Sequence, residues 1–163
     1  MSVIVCNSGP LIALAGVSRL ELLHDLFGVV HVAEEVKEEV EAGGMSGVGM
    51  DMFREHSWLR VTRLAVPVNP TLASLLDPGE AATITLAHEL KASLVLLDEV
   101  KGRKIAGDVY HLPVIGTGRV LVEAKKRELI PTVKPYLDEM RSKGYWINTG
   151  VYTQILRMAG EPC

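Results

Sequence analysis

Two adjacent carboxylates, Asp98 and Glu99, directly follow the apolar run Leu94–Leu97. A continuous apolar run without alternation is typical of a parallel strand that is covered on both faces. The carboxyl ends of such strands border the crevice in which open α/β sheets bind their ligands. Neighbouring carboxylates there repel each other unless a cation lies between them or one takes up a proton. The alternative, that the pair caps the following helix, stays open on these residues alone.

A second polar position follows the first predicted strand, the apolar stretch Val3–Cys6. Asn7 and Ser8 come next, and Gly9-Pro10 then opens a helix, so Ser8 is predicted to be the N-cap residue. Asn7 therefore lies where a strand ends and a helix begins. That Asn7 and Ser8 do no more than cap this helix is the alternative.

Two glutamates on predicted helices can reach the same edge of the sheet. The predicted helix Ala33–Ala42 has an apolar stripe at a spacing of four, and Glu39 lies beside that stripe. Glu80 belongs to the first turn of another helix, and Asp77 three residues before it has the spacing of a capping box. Glu80 is thus predicted either to cap this helix or to turn inward toward the carboxylates that follow the central strand.

Strands alternate with helices along the chain, which predicts right-handed crossovers and a parallel sheet. The last strand is expected over Leu112–Ile115 and ends at Gly116-Thr117-Gly118. Parallel strands end at one edge, and the polar residues expected there are Asn7, Asp98, Glu99 and Thr117. Oxygen ligands without cysteine or paired histidine are typical of a hard cation, Mg²⁺ or Mn²⁺, which can orient a water molecule and lower its pKa.

Length and composition indicate one domain, residues 1–163, large enough for a full hydrophobic core. With 48% hydrophobic and 23% charged residues, the chain has neither a disordered nor a membrane-protein composition. Neither a signal peptide nor an apolar run of about 18 residues is found. Cys6 and Cys163 indicate no disulfide framework or zinc site, which favours the cytoplasm. The Gly-rich stretch 43–49 is predicted to be a loop.

The net charge of −3 is unevenly distributed, at −8 over residues 1–100 and +5 over residues 101–163. A weakly acidic total gives no argument for nucleic-acid binding. The split is compatible with an acidic metal pocket beside a basic rim, and equally with two solvated faces. The five histidines are scattered, and no Ser-His-Asp or Cys-His order competes with the acidic site.

Several short motifs are spread from the first strand to the last helix. They are Val5–Leu14, Val36–Val40, Asp77–Ala82, Leu96–Glu99 with Gly102-Arg103, Gly116–Gly118, Gly144–Ile147 and Ala159–Glu161. In this order and spacing they resemble the PIN-domain nucleases, and within them the VapC-type, toxin-like branch of small prokaryotic proteins. The resemblance covers essentially the whole chain and implies a three-layer α/β/α sandwich with a central parallel sheet, together with metal-dependent hydrolysis of RNA.

The resemblance also implies roles for individual residues. The implied catalytic residues are Glu39, Glu80, Asp98 and Glu99. The implied metal ligands are Asn7, Glu80, Asp98 and Glu99, and the implied substrate contacts are Ser8, Arg103 and Thr117. For Arg103, an ion pair with a carboxylate is the alternative to a phosphate contact. Asn7 departs from the family pattern, which usually has a metal-binding aspartate at this position.

The leading hypothesis is a Mg²⁺- or Mn²⁺-dependent endoribonuclease that cleaves single-stranded RNA. It would be the toxin of a toxin–antitoxin pair, a cytoplasmic homodimer with a cognate antitoxin protein and no membrane association. One alternative is a PIN-like domain, catalytically impaired by Asn7, that binds RNA or a protein. Another is a different α/β hydrolase or phosphotransferase, but the nucleophilic aspartate of such enzymes would fall at Asn7.

Overall fold

The computed structural model describes residues 2–43, 49 and 51–163, and within them five strands form one sheet. The strands are β1 (Ile4–Cys6), β2 (Val30–Ala33), β3 (Leu59–Thr62), β4 (Leu94–Leu96) and β5 (Val114–Ile115). Their order across the sheet is β3-β2-β1-β4-β5, and all neighbours pair in parallel. The predicted parallel sheet is therefore confirmed.

Helices flank the sheet and complete a three-layer α/β/α sandwich, as predicted. In the described ranges they are α1 (Ser8–Gly16), α2 (Glu21–Phe27), α3 (Glu34–Ala42), α4 (Met52–Glu55), α5 (Pro70–Leu75), α6 (Pro78–Glu89), α7 (Val100–Asp108), α8 (Thr117–Lys126), α9 (Lys134–Ser142) and α10 (Thr149–Met158). None of these helices is long and apolar enough to cross a membrane.

The two strands that carry the candidate site lie side by side in the middle of the core. β4 pairs with β1 on one side, with Val95 opposite Val5, and with β5 on the other. Val95 is fully buried, as the continuous apolar run after Ser93 predicts, and so is Val5. Because β1 and β4 are parallel neighbours, the residues that follow them, Asn7 and Asp98, emerge at the same edge.

Helix α6 is buried on every side, since all residues from Gly79 to Ala87 are buried. It packs against α3, β1 and β2. A helix that is covered all round is typical of a protein core. This packing holds the first turn of α6, with Glu80, rigidly beside the sheet edge.

The sequence predictions differ from the structure in a few places. Helix α5 was not predicted, although Asn69 caps it by accepting a 2.8 Å hydrogen bond from the Thr71 N–H and Pro70 occupies its first turn. Other element ends shift by one to three residues, the usual uncertainty of helix and strand boundaries. Most of the loop predicted over residues 43–49 lies outside the described residues.

Glu161 fastens the segment that follows α10. Its carboxylate accepts hydrogen bonds from the Val133 N–H (2.7 Å) and the Lys134 N–H (3.1 Å). It also forms an ion pair with Lys125 (3.0 Å). Burial opposes the ionisation of Glu161, but these hydrogen bonds and the Lys125 charge outweigh it and lower the pKa of Glu161. The end of α10 is thereby tied to α8 and to the start of α9.

Candidate active site

Asp98 is held by three hydrogen-bond donors. The Thr117 N–H donates to Oδ1 at 2.7 Å, and the Thr117 hydroxyl donates to Oδ2 at 2.6 Å. The Tyr145 hydroxyl also donates to Oδ2. Thr117 is the first residue of α8 and is buried, while Tyr145 lies in the link between α9 and α10. Charge-assisted hydrogen bonds from two separate elements fix the orientation of the carboxylate.

Tyr145 is a site residue that the sequence did not reveal. Burial, and then the negative charge of Asp98, raise the pKa of Tyr145, so its hydroxyl stays protonated and acts as a donor. A lone tyrosine after a helix-ending glycine carries no signal of such a role. Only the packing of the α9–α10 link against β4 brings Tyr145 to Asp98. The pairing of Asp98 with Thr117, in contrast, agrees with their predicted positions at adjacent strand ends.

Asn7 and Glu39 both lie close to Gly79 at this edge of the sheet. The Asn7 side chain is only 6% exposed, and its Oδ1 lies 3.2 Å from the Thr83 hydroxyl, whose proton it shares with the Gly79 carbonyl at 2.8 Å. A Cβ atom placed on Gly79 would lie 2.2 Å from Glu39 Oε2 and 3.6 Å from Asn7 Oδ1. The Glu39 carboxylate thus occupies the volume that a side chain would need at position 79, and glycine permits this close approach.

The prediction that Ser8 is the N-cap of α1 is wrong by one residue. Helix α1 begins at Ser8, and Asn7 holds the N-cap position without a capping hydrogen bond from its side chain to the described backbone. The Asn7 N–H donates to the Leu96 carbonyl (2.9 Å), so sheet pairing continues to Asn7 and the helix starts directly after it. The side-chain amide of Asn7 is directed to Thr83 instead, and capping does not account for its presence.

Glu80 does what the capping alternative predicts. Its backbone N–H donates to Asp77 Oδ1 (2.8 Å), and its Oε1 accepts from the Asp77 N–H (3.2 Å), which completes a capping box. Burial raises the pKa of Glu80 to about 7, against the opposing hydrogen bond from the Asp77 backbone and with further contributions from the charges of Asp77 and Glu99. Near neutral pH this carboxyl group is therefore divided between its acid and its base form.

The pKa of Glu39 is raised as well. Burial and the charge of Asp77 raise the pKa of Glu39, and a hydrogen bond with Ser8 partly opposes them. Ser8 itself is buried at the first position of α1. A crowded edge with poor access to water thus raises the pKa of both glutamates.

Glu99 caps helix α7, as its alternative predicts. Oε1 accepts from the Lys101 N–H (3.1 Å) and Oε2 from the Gly102 N–H (2.6 Å). Both oxygens therefore bind the backbone of the following helix, whereas Asp98 takes no part in that cap. The role of Glu99 in metal binding or catalysis stays a prediction.

Arg103 lies beside Asp98 and forms no ion pair with it or with any other described residue. A Cβ atom on Gly116 would be 2.7 Å from Asp98 Oδ1 and 3.2 Å from Arg103 Nη1, so both groups border the same space. Within the described part of the chain, no ion pair includes Arg103, which is exposed on α7. The carboxylate-pairing alternative is thus not realised, and the guanidinium is available to an anion.

The donor chemistry of this edge fits a hard divalent cation. Asn7 offers an amide oxygen and Glu39 a carboxylate around the space beside Gly79, and both are ligands of Mg²⁺ and Mn²⁺ in proteins. The carboxylates do not form one cluster, however. Among the described residues, no three His, Cys, Asp or Glu side chains lie close enough together to hold a metal ion. A cation here would depend on the neutral oxygen of Asn7.

The fold is a parallel α/β sandwich with acidic side chains at the carboxyl edge of its sheet. The family model DUF3368, which describes a PIN domain, matches residues 3–161. The chain therefore belongs to this PIN-domain family, which confirms the resemblance to the PIN-domain nucleases. PIN domains generally use divalent metals. A comparison with curated proteins found no match, and the VapC-type branch stays a prediction.

Replacing Glu80 by glutamine distinguishes the contribution of its capping hydrogen bond to stability from that of its charge. The raised pKa of Glu80 means that its contribution to stability is fully present below the ordinary value of 4.5 and is lost as the pH rises through about 7. Glutamine keeps an oxygen for the Asp77 N–H and has no charge. We expect Glu80→Gln to match the wild type near pH 5 and to exceed it in stability near pH 8. Urea unfolding in metal-free buffer measures the free energy of unfolding of both proteins at each pH. If the variant and the wild type differ by the same amount at pH 5 and at pH 8, the raised pKa of Glu80 is contradicted.

Proposed function

We propose that the protein is a Mg²⁺- or Mn²⁺-dependent ribonuclease that hydrolyses phosphodiester bonds in single-stranded RNA. The observation that carries this proposal is the arrangement of Asp98 at the carboxyl end of β4 in a PIN-domain sheet. Thr117 and Tyr145 hold this carboxylate, and Arg103, which has no ion pair among the described residues, lies beside it. A fixed anion next to an available guanidinium suits a site that binds a phosphate and directs charge at it.

In this proposal some residues at the sheet edge bind the substrate phosphate, and another transfers a proton. Arg103 binds a non-bridging oxygen of the substrate phosphate, since its planar guanidinium matches phosphate geometry. Ser8 and Thr117 are further substrate contacts in this proposal. Glu80 exchanges a proton near neutral pH at its Oε2, because its Oε1 accepts the Asp77 N–H.

The residues proposed to hold the cation are Asn7, Glu39 and Asp98. The predicted metal roles of Glu80 and Glu99, whose carboxylates cap α6 and α7, stay predictions. When bound, a divalent cation would orient a water molecule, lower its pKa and offset the charge that develops on the phosphate. Asp98 and Glu39 contribute negative charge to such a site, while Asn7 contributes an oxygen without charge. The neutral ligand favours weak binding of the cation and a slow reaction.

We also propose that the ribonuclease is the toxin of a toxin–antitoxin pair and acts as a homodimer in the cytoplasm. This part of the proposal is supported by the resemblance to the VapC-type branch. A short neighbouring reading frame whose product binds the protein and suppresses cleavage would support it.

The alternative function is that of a catalytically impaired module that binds RNA or a protein. Asn7 favours it, because an amide oxygen brings no negative charge to a cation. The division of the acidic residues between helix caps and separate contacts favours it as well.

The direct test is cleavage of a 5′-labelled mixed-sequence single-stranded RNA by the purified protein. We expect slow cleavage that requires Mn²⁺ or Mg²⁺, is faster with Mn²⁺, stops on addition of EDTA and returns with excess metal. A duplex DNA of the same sequence serves as the control substrate and should stay intact. If neither the wild type nor Asn7→Asp cleaves RNA with either metal, the binding module replaces the nuclease.

A further inference from the structure

Among the described residues, Trp146 is the most exposed large hydrophobic residue. It follows Tyr145 directly in the α9–α10 link, and 80% of its surface is exposed. Exposing so large an aromatic ring to water is unfavourable. An exposed tryptophan beside a candidate site therefore indicates a binding surface. Neither the hydrogen bonds around Asp98 nor the proposed cleavage step uses this ring.

Trp146 lines a groove of about 350 Å³ that reaches from the α9–α10 link to Asp98. Its apolar lining includes Leu137 and Met140 from α9 and Ile155 from α10, and the groove also contains both Asp98 and Thr117. The groove is thus continuous with the candidate active site. Its lining thus includes both the aromatic ring of Trp146 and the fixed carboxylate of Asp98.

Two arginines give the groove a positive rim. Arg119 of α8 forms an exposed ion pair with Glu123 at 3.0 Å. Arg103 also lines the groove and, over the ranges that the structure describes, has no carboxylate partner. An apolar floor alone would suit many partners, but cations beside an exposed aromatic ring complement a chain of phosphates and bases.

We propose that this groove is a nucleotide subsite for single-stranded nucleic acid, in which a base stacks on Trp146 while Arg103 binds the adjacent phosphate. Its role next to Asp98 rests on the proposed ribonuclease function. Stacking requires an unpaired base, because the bases of a duplex already stack on each other. The subsite therefore selects single-stranded RNA and places the phosphate next to the stacked base beside Asp98.

The strand has room to continue beyond the ring. Trp146 also borders a second depression of about 500 Å³, lined by Arg141, Tyr145 and Asn148. Trp146 therefore contributes to the walls of both depressions. A base in the groove and the next nucleotide beyond the ring can be accommodated along one path, which a strand of a few nucleotides would follow.

Fluorescence of Trp146 tests stacking directly. The chain has two tryptophans, and Trp58 packs against His24 and His56 away from the groove, so Trp58→Phe leaves Trp146 as the only reporter. The probe is hexa-adenylate in EDTA, which prevents metal-dependent cleavage. The control is an abasic ribose-phosphate hexamer, which carries the same phosphates without bases. We expect hexa-adenylate to quench Trp146 and the abasic hexamer to bind weakly without quenching.

Variants of the full chain separate stacking from charge. In a fluorescence-anisotropy assay with end-labelled oligomers, Trp146→Ala should weaken hexa-adenylate binding about 5- to 100-fold. The same variant should leave the abasic hexamer unaffected. Arg103→Ala should weaken both oligomers and lower the salt dependence by about one ion. Val109→Ala, at an exposed apolar residue that directly follows α7 and lies outside the groove, is the matched control and should change nothing.

Three results would overturn the subsite. They are equal binding of hexa-adenylate by the wild type and Trp146→Ala, equal binding of the abasic and the base-containing oligomer, and a change in oligomeric state of Trp146→Ala without a change in RNA affinity. The last result would assign the groove to a second copy of the chain. Cleavage of RNA by wild type and Trp146→Ala at equal rates, with Mn²⁺ present, would then show that the nuclease stands without this subsite. Quenching of Trp146 by hexa-adenylate in EDTA, without any cleavage in Mn²⁺, would support the subsite and contradict the proposed nuclease.

Discussion

Replacing Asn7 by aspartate should accelerate cleavage of single-stranded RNA by about 100- to 1000-fold, the usual scale for a single electrostatic group at an active site. Asn7 is buried, and its Oδ1 borders the same space as the Glu39 carboxylate. Aspartate keeps an oxygen at this point, and the Thr83 hydroxyl can still donate to it. In the proposed function the added negative charge would face the cation at close range in a site with little water, so metal binding should strengthen as well.

The same substitution should slightly destabilise the metal-free protein. It adds a carboxylate beside Glu39, whose pKa is already raised by burial and by the charge of Asp77. Initial rates over a range of Mn²⁺ concentrations measure the gain, and thermal melts in EDTA measure the loss. The double variant Asn7→Asp with Asp98→Asn is the control for contaminating nuclease and should fall to background. Equal rates for the wild type, Asn7→Asp and the double variant would rule out a nuclease that is limited by residue 7.

Replacing Asp98 by asparagine should lower RNA cleavage by about 100-fold or more. The amide oxygen can still accept from the Thr117 N–H, and the amide group can pair with the Thr117 and Tyr145 hydroxyls after these rotate. The shape of the edge is thus retained while its best-oriented charge is lost. Both metal binding and phosphate chemistry depend on that charge in the proposed function.

The metal response of Asp98→Asn gives a readout that does not require cleavage. Millimolar Mn²⁺ should raise the melting temperature of the wild type, because a ligand that binds only the folded state stabilises it by mass action. The rise should be largely absent in Asp98→Asn. Asp108→Asn makes the same chemical change at an exposed position at the end of α7 and should behave like the wild type. An equal Mn²⁺ response of all three proteins would place the cation away from Asp98.

Much of the architecture follows from the order of apolar runs and helical segments. The continuous run Leu94–Leu97 predicts a strand covered on both faces, and β4 lies between β1 and β5 in the parallel sheet. Since parallel strands end at one edge, the sequence also predicts that Asp98 and Thr117 meet there, and a 2.6 Å hydrogen bond joins them. Local spacing likewise predicts the capping box of Asp77 and Glu80, because both partners lie within one helical turn.

Where the sequence left two roles open, only tertiary contacts decided between them. Glu99 turned to the backbone of α7 and Asp98 did not, since Thr117 and Tyr145 already occupied the Asp98 oxygens. Nothing in the sequence indicates which of two adjacent carboxylates has a neighbour from a distant element. Arg103 is a similar case, because the absence of an ion pair over the described residues depends on the position of every nearby carboxylate.

The sequence by itself determined the sheet, the edge at which the polar residues emerge and the family resemblance, because these depend on local periodicity and on the order of elements. The tertiary structure alone decided that Tyr145 holds Asp98 and that Glu39 approaches Asn7 over Gly79. These contacts join residues far apart in the chain, and their geometry depends on how α3, α6 and the α9–α10 link pack around the strand ends. Packing of that kind is set by the shapes of many side chains at once, which no short motif encodes.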